Sequence, residues 1–214
     1  MSENVINVGG LTPMTSIDYP GELAAVIFCQ GCPWRCRYCH NYDLLNSGRE
    51  SALNWDDVLA FLETRHGLLD AVVFSGGEPT RQKRLGEAMQ QVRDMGFKVG
   101  LHTSGAYPDR LREVLPHCDW VGMDIKAPFG DYVSVTETPK SGERAWQSAR
   151  HIVDSGVPHQ FRTTVHPELL GHDDIRMIHE QLLMLGSERL HLQDCIATNC
   201  LDPALRDIPP PSPV

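Results

Sequence analysis

The 214-residue sequence contains no apolar run that approaches the ~20 residues of a membrane-spanning helix, so a helical membrane protein is excluded. Basic residues are scarce: 19 Lys and Arg stand against 28 Asp and Glu, for a net charge of −9. A chain this acidic is a poor candidate for binding a phosphate backbone, so we expect no nucleic-acid partner. Residues 1–10 show no basic stretch followed by an apolar block, so we expect no secretory signal and a cytoplasmic location.

Cysteine, by contrast, is abundant. The chain has seven cysteines, and four of them, Cys29, Cys32, Cys36 and Cys39, lie close together. An odd number of cysteines without an export signal argues against a disulfide scaffold. In a reducing compartment, such clustering indicates metal or redox chemistry.

Six short apolar runs alternate with helical patterns along the chain, which is the pattern of βα units with a parallel sheet. The chain is shorter than the ~250 residues of a closed eight-unit barrel, so we predict an open six-unit barrel, with a doubly wound flat sheet as the alternative. We predict an irregular lead-in at residues 1–22, a core domain at 23–194 and a proline-rich tail at 195–214. The predicted strands are 23–28, 71–74, 97–101, 120–125, 160–165 and 189–192, and the helical stripes lie within 55–62, 85–92, 111–115, 145–153 and 175–185.

Three cysteines form a C-x3-C-x2-C triplet, Cys32, Cys36 and Cys39, just after the first predicted strand. Active sites of parallel βα folds lie at the carboxyl ends of the strands, so the triplet falls at that edge. Three thiolates can hold three corners of a 4Fe–4S cluster and leave one iron open for a ligand. Incidental loop cysteines and a zinc site that adds Cys29 are the alternatives. Cys29 itself ends a buried strand and is predicted to be a small core residue.

These residues carry a family resemblance. CPWRCRYCHN, residues 32–41, resembles the cluster motif of radical S-adenosylmethionine (SAM) enzymes. GGLTPMTSIDYPGELAAVIFCQGC, residues 9–32, resembles the opening of the activating proteins of anaerobic ribonucleotide reductase and, more broadly, of glycyl-radical enzyme activators. The resemblance continues through residues 75–79 and more loosely through all six units. It implies an α/β fold, a partial (β/α)6 TIM-like barrel of the radical SAM type.

The resemblance also implies a ligand set. In the family, a Gly-Gly-Glu turn binds the methionine amino group of SAM through backbone groups, polar residues at strand tips contact its carboxylate and ribose, and the aromatic residue before the last cysteine packs on the adenine. A tight turn that requires a positive φ is the alternative for the glycines, and a solvated loop position is the alternative for Ser104. The implied metal ligands are Cys32, Cys36 and Cys39, and the implied cofactor contacts are Tyr38, Gly76, Gly77, Glu78, Thr103, Ser104, Asp124 and Lys126.

Other strand-end residues match the family less closely. Arg162, His166 and Gln193 lie on or near the last two predicted strands, and their contact with the cofactor stays open. His102 stands where related formate-lyase activators have an acidic residue, so no cation site is implied there. Cys195 and Cys200 form a C-x4-C pair, which is too few ligands for a zinc site unless Cys118 or a histidine contributes. Unpaired thiols or a partner-binding tail are the alternatives for this pair.

The function implied by the resemblance is reductive cleavage of SAM at a single 4Fe–4S cluster, with SAM and the cluster as cofactors. The resulting 5′-deoxyadenosyl radical would take a hydrogen atom from a glycine of anaerobic ribonucleoside-triphosphate reductase. The implied partners are that reductase and a low-potential electron donor such as flavodoxin or ferredoxin. A radical SAM enzyme acting on another glycyl-radical enzyme or on a small molecule is one alternative. A non-catalytic zinc or iron–sulfur binding module is the other.

Overall fold

Seven strands lie side by side in sequence order in the computed structural model, which describes residues 5–46, 48 and 52–206. Six α-helices accompany them in this part of the chain. The strands are β1 (Val8–Thr15), β2 (Ala24–Cys29), β3 (Ala71–Gly76), β4 (Lys98–Thr103), β5 (Trp120–Asp124), β6 (His159–Val165) and β7 (Leu190–Asp194). The helices are α1 (Trp55–Glu63), α2 (Leu85–Asp94), α3 (Pro108–Val114), α4 (Tyr132–Thr136), α5 (Ser141–Ser155) and α6 (His172–Met184). None of these helices is long and apolar enough to cross a membrane.

The sheet is parallel from β2 to β7 and is not closed. β1 adds an antiparallel edge strand next to β2. Sequential strand order without a reversal excludes the doubly wound alternative, because that fold changes direction at a switch point. The six parallel strands with their crossover helices confirm the predicted partial (β/α)6 barrel.

The larger core lies between the sheet and the helices. Val72 and Phe74 of β3 face it, and Leu62 of α1 and Met89 of α2 pack into it from the helical side; all four are fully buried. The helical stripes read from the sequence therefore form, and their apolar faces cover the sheet. Burying each such side chain contributes about 1.5–3 kcal/mol.

A second, smaller core lies on the sheet face that carries no helices. Val26, Val73 and Trp120 contribute to it from the strands, and Tyr19 packs its ring against Trp120 with the centroids 5.4 Å apart. The prediction of an irregular lead-in at residues 1–22 is therefore wrong for residues 8–15, which form β1, and for Tyr19. Pro13 and the neighbouring glycines suggested a loop, but an edge strand tolerates proline because one side of its backbone has no partner strand.

The segment after β7 was also predicted incorrectly in part. Residues 195–206 do not form an extended tail: Cys200 and Leu205 are buried in the main core. The Arg37 guanidinium holds Asp202 at 2.8 Å, and the Asp202 N–H donates to the Arg37 carbonyl at 2.8 Å. The proline-rich stretch at 209–213 lies outside the described residues.

Candidate functional site

A cavity of about 400 Å³ opens at the carboxyl ends of the parallel strands. Residues that face away from the helices line its floor, since alternate residues of a strand point to opposite faces. The cysteine loop after β2 forms one wall. The lining includes Cys32, Trp34, Cys36, Tyr38, Cys39, Ser75, Gly76, Gly77, His102, Thr103, Ser104, Asp124, Lys126, Arg162, Thr164 and Gln193.

The cysteine loop is held by backbone hydrogen bonds to a short helix. The Arg35 N–H donates to the Thr136 carbonyl at 3.1 Å, and the Arg37 N–H donates to the Val135 carbonyl at 2.9 Å. Both acceptors lie in α4, a five-residue helix that the periodicity did not reveal because it is too short to show a repeat. The carbonyl groups at the end of this helix have no partner further along it, so they are available to the loop.

The three cysteines of the triplet line one cavity but are not arranged for a single ion. They are not among the described side chains whose ligand atoms come close enough together to hold one ion. A cluster of four irons is wider than one ion and spaces its cysteine ligands further apart, so the arrangement suits the cluster better than the four-cysteine zinc site. Cys29, the fourth member of that alternative, is a fully buried core residue, as predicted.

Burial disfavours the thiolate form of these cysteines when no metal is bound. Loss of solvation raises the pKa of Cys32 to about 12 and that of Cys36 to about 11, and it also raises the pKa of Cys39. A bound metal centre would reverse this by stabilising the thiolates. Trp34, in the same loop, is fully buried, and its Nε1 has no hydrogen-bond partner among the described residues. A buried N–H donor without a partner beside a cavity fits a site that takes an acceptor-rich group.

The glycine turn after β3 is required by close backbone packing within the protein. Gly76 has a φ of +111°, and a Cβ there would lie 2.5 Å from the Cys29 nitrogen. A Cβ on Gly77 would lie 2.7 Å from the Gly31 carbonyl oxygen. The turn therefore lets β3 approach the chain that leads into the cysteine loop. The tight-turn alternative accounts for Gly76, and both glycines line the cavity.

Glu78 is fully buried, and its carboxylate accepts five hydrogen bonds from three residues. One oxygen accepts from the Thr80 N–H and hydroxyl and from the Thr103 hydroxyl, and the other accepts from the Ser104 N–H at 2.8 Å and hydroxyl at 2.5 Å. The carboxylate thus ties the end of β3 to the end of β4. The hydroxyl groups of Thr103 and Ser104 are used in this network, although both residues line the cavity.

A charged group lies on the cavity floor at the ends of β5 and β6. Arg162 Nη2 is 2.9 Å and Lys126 Nζ is 3.5 Å from the Asp124 carboxylate. Burial alone would raise the pKa of Asp124, but Arg162 and Lys126 lower it below its ordinary value, so the carboxylate is ionised. Lys126 Nζ also lies 3.4 Å from the Tyr38 hydroxyl and 5.3 Å from its ring centroid. Two cations against one carboxylate leave this part of the floor positive.

His102 lies next to this group and is neutral. Burial and the nearby Arg162 lower its pKa to about 4. Its Nε2 is 2.8 Å from the Asp18 carbonyl and 3.3 Å from an Arg162 nitrogen. A carbonyl can only accept, so the shorter contact places the proton on Nε2 and leaves Nδ1 to accept from the Ser75 hydroxyl, 3.5 Å away.

The structure brings the predicted residues together around one cavity, with Glu78 beneath the lining. It places Arg162 and Gln193 in the lining too, whereas His166 is buried away from it and hydrogen-bonds the Leu205 carbonyl at 3.0 Å. Sequence reasoning gave no role to Ser75 or His102. The alternation of side chains along each strand could have identified them, since Ser75 and His102 lie on the same helix-free face of the sheet as Asp124.

An open parallel sheet with a cysteine-bearing loop at the carboxyl ends of its strands is typical of an enzyme that holds a metallocofactor in a partial barrel. The profile of the Radical SAM superfamily matches residues 26–180, and the chain belongs to that superfamily. Membership implies a 4Fe–4S cluster and SAM as cofactors.

Curated relatives indicate a narrower group within this superfamily. A Methanocaldococcus jannaschii protein provisionally named a glycyl-radical enzyme activating enzyme is 31% identical over 178 residues, 80% of this chain and 73% of its own. The pyruvate formate-lyase-activating enzyme of Clostridium pasteurianum is 32% identical over 168 residues, 76% of this chain and 69% of its own. The chain is thus homologous to glycyl-radical enzyme activating enzymes.

Solved structures agree on the fold. Streptococcus suis SuiB bound to S-adenosylmethionine superposes with a TM-score of 0.62 at 14% identity and covers 78% of this chain. TYW1 with a lysine-pyruvate adduct superposes with a TM-score of 0.60 at 16% identity and covers 80% of this chain. This chain spans 39% of the SuiB chain and 64% of the TYW1 chain. At these identities the likeness concerns the fold alone.

Proposed function

We propose that this protein is an activating enzyme that installs a glycyl radical on anaerobic ribonucleoside-triphosphate reductase. When bound and reduced, the cluster and SAM supply a 5′-deoxyadenosyl radical that removes a hydrogen atom from a glycine Cα. The electron comes from a low-potential donor such as flavodoxin or ferredoxin. The observation that carries the activating function is the 31% identity, over 80% of this chain, to a relative named as a glycyl-radical enzyme activating enzyme, which does not itself specify the reductase.

The residues of the cavity fit this chemistry. Cys32, Cys36 and Cys39 would hold the cluster in a loop that α4 fixes. Three thiolates make such a centre anionic, and the cations Lys126 and Arg162 on the floor oppose that charge. The same cations favour the carboxylate of the SAM methionine, since an opposite charge in a poorly solvated site interacts strongly. Tyr38 lines the same cavity and offers an aromatic ring to the adenine.

The choice of reductase depends on the N-terminal block at residues 9–32. The structure gives this block a structural role: Tyr19 packs against Trp120, and the Asp18 carbonyl accepts from His102 on the cavity floor. Residues 8–15 and Tyr19 are therefore part of the folded domain and are not free to receive a partner. The open sheet, whose first and last strands do not pair, leaves access to the cavity for a loop of another protein.

A small-molecule substrate is the second candidate. The 7-carboxy-7-deazaguanine synthase of Thermococcus kodakarensis is 28% identical over 116 residues. That match covers 45% of this chain and 46% of the synthase, against 80% and 73% for the activating-enzyme relative. The greater coverage favours the activating enzyme.

Electron paramagnetic resonance tests the proposal. The reconstituted protein, reduced and supplied with SAM under anaerobic conditions, is mixed with the ribonucleotide reductase encoded in the same genome. We expect the doublet of a Cα glycyl radical on the reductase, and none with the Cys36→Ala variant. Formation of 5′-deoxyadenosine without any doublet would contradict the activating function and leave the radical SAM assignment intact. A doublet on pyruvate formate-lyase but not on the reductase would reassign the partner.

A further inference from the structure

We propose that His40, Cys195 and Cys200 form a mononuclear Zn²⁺ site at the mouth of the cavity, separate from the cysteine triplet. The sequence placed Cys195 and Cys200 five residues apart but provided no third ligand. The fold supplies that ligand from a distant segment, since His40 follows directly on Cys39 in the cysteine loop. The site is inferred from its ligand geometry and does not rest on the proposed function.

The interatomic distances match a tetrahedral ion. Cys195 Sγ lies 3.6 Å from Cys200 Sγ and 3.7 Å from His40 Nε2, and all three ligand atoms lie within 4.8 Å of one another. Zinc bonds of ~2.3 Å to sulfur and ~2.0 Å to nitrogen give tetrahedral edges of about 3.8 Å and about 3.5 Å. The sulfur–sulfur distance is far longer than the ~2.05 Å of a disulfide bond. Within the described part of the chain, this is the group of three His, Cys, Asp or Glu side chains whose ligand atoms lie this close together.

Both cysteines are positioned by surrounding contacts. The Cys195 N–H donates to the Val165 carbonyl at 2.9 Å, which continues the pairing of β6 with β7. The Cys200 N–H donates to the Ala197 carbonyl at 3.1 Å and closes a 3-10 turn between the two cysteines. The Arg206 side chain donates to the Cys200 carbonyl at 2.7 Å. Sites formed in advance lose little conformational freedom on binding, which favours affinity.

The ligand types select the ion. Thiolate and imidazole suit Zn²⁺, whereas Mg²⁺ and Ca²⁺ prefer oxygen ligands. Two thiolates and a neutral imidazole make the Zn²⁺ complex electrically neutral, which suits a site that ranges from fully buried Cys200 to exposed His40. Three protein ligands leave a fourth position for water or another group.

The position of the site indicates that bound zinc would fix one edge of the cavity mouth. His40 lines the cavity beside Cys39, and Asp194 and Ile196 line it on either side of Cys195. Bound zinc would join residues 195–200 to the loop that carries the triplet and would fix one edge of the cavity mouth. Arg37 and Asp202 already connect the same two segments through their ion pair. The zinc site would therefore reinforce an existing contact.

Metal analysis of the reconstituted holoenzyme tests the proposal. The protein is incubated anaerobically with Zn²⁺, desalted, and analysed for zinc and iron by mass spectrometry. We expect about one zinc per chain in the wild type. Cys195→Ser and His40→Gln should reduce zinc at least tenfold and leave iron unchanged. Cys118→Ser, which alters a buried thiol elsewhere, is the matched control and should retain both metals.

Zinc-edge X-ray absorption supplies the second readout. We expect two sulfur neighbours at ~2.3 Å and one nitrogen at ~2.0 Å in the wild type. Equal zinc in wild type and Cys195→Ser would overturn the proposal, as would a Cys195–Cys200 disulfide in anaerobically purified protein. Loss of iron together with zinc in Cys195→Ser would also overturn it, because the pair would then serve the cluster. Since Cys195 is half-buried, its variant separates metal loss from misfolding more cleanly than one at fully buried Cys200.

Discussion

Replacing Glu78 with Gln tests whether this carboxylate fixes the cavity floor. It accepts five hydrogen bonds from Thr80, Thr103 and Ser104 and is fully buried. Glutamine keeps one acceptor oxygen and presents an NH2 group in place of the other. If the oxygen stays with the threonines, the NH2 faces the Ser104 N–H, which cannot turn away.

The magnitude follows from these contacts. An unpaired buried N–H costs about 1–3 kcal/mol, and the remaining hydrogen bonds lose their charge-assisted share of about 1 kcal/mol each. Three hydrogen bonds reach the oxygen that remains, so we expect Glu78→Gln to lower the free energy of unfolding by about 4–6 kcal/mol. For a chain of this size, that corresponds to a fall of about 10–20 °C in the unfolding temperature.

Thermal unfolding followed by tryptophan fluorescence measures the effect. The matched control is Glu87→Gln, which makes the same chemical change in a solvent-exposed ion pair with Arg84. Surface pairs of this kind contribute little, so the control should unfold like the wild type. If Glu78→Gln also unfolded like the wild type but no longer bound SAM, the carboxylate would contact the ligand directly, and the structural interpretation would be refuted.

Three further variants probe the site. Gly77→Ala should lose iron and unfold at lower temperature, because the added Cβ would meet the Gly31 carbonyl at 2.7 Å; Gly130→Ala, whose Cβ meets no atom within 4 Å, should change neither iron content nor unfolding temperature. The pKa of His102 is lowered from 6.5 to about 4, so its contribution to the stability of the fold is fully present above pH 6.5 and is lost as the pH falls towards 4. Urea titrations should show the free energy of unfolding falling by up to about 1.4 kcal/mol per pH unit in this range. An equal pH dependence in His102→Gln and the wild type would contradict this. Lys126→Met should raise the Kd for SAM about tenfold, or about 1.4 kcal/mol, in calorimetry with iron content unchanged; an unchanged Kd would remove Lys126 from the binding site.

The parallel architecture could be predicted because strands β2 to β5 are mostly buried on both faces. Runs such as 71–74 are apolar throughout, and the stripes of α1 and α2 repeat at helical spacing. β1 could not be predicted in this way, because it is an edge strand with a mixed burial pattern, and its pairing with β2 depends on tertiary structure. α4 is too short for its period to be recognised.

The site was partly predictable for a similar reason. The triplet spacing and the strand-tip positions are local features of sequence, and they located the cavity-lining residues near Cys36 and Asp124. The Glu78 network joins two strand ends, so no local pattern reveals that its carboxylate is occupied by Thr103 and Ser104. The pairing of His40 with Cys195 is likewise a product of the fold, because 155 positions separate them.

Formation of 5′-deoxyadenosine by the reduced, reconstituted protein is the most direct test that this cavity is a radical SAM site. We expect SAM-dependent product, measured by mass spectrometry, together with the brown absorbance of the cluster. Ala at Cys32, Cys36 or Cys39 should abolish both, whereas Cys29→Ala should retain both, because Cys29 is a core residue of β2. Product formation by Cys36→Ala, or loss of the cluster in Cys29→Ala alone, would contradict the assignment of the triplet.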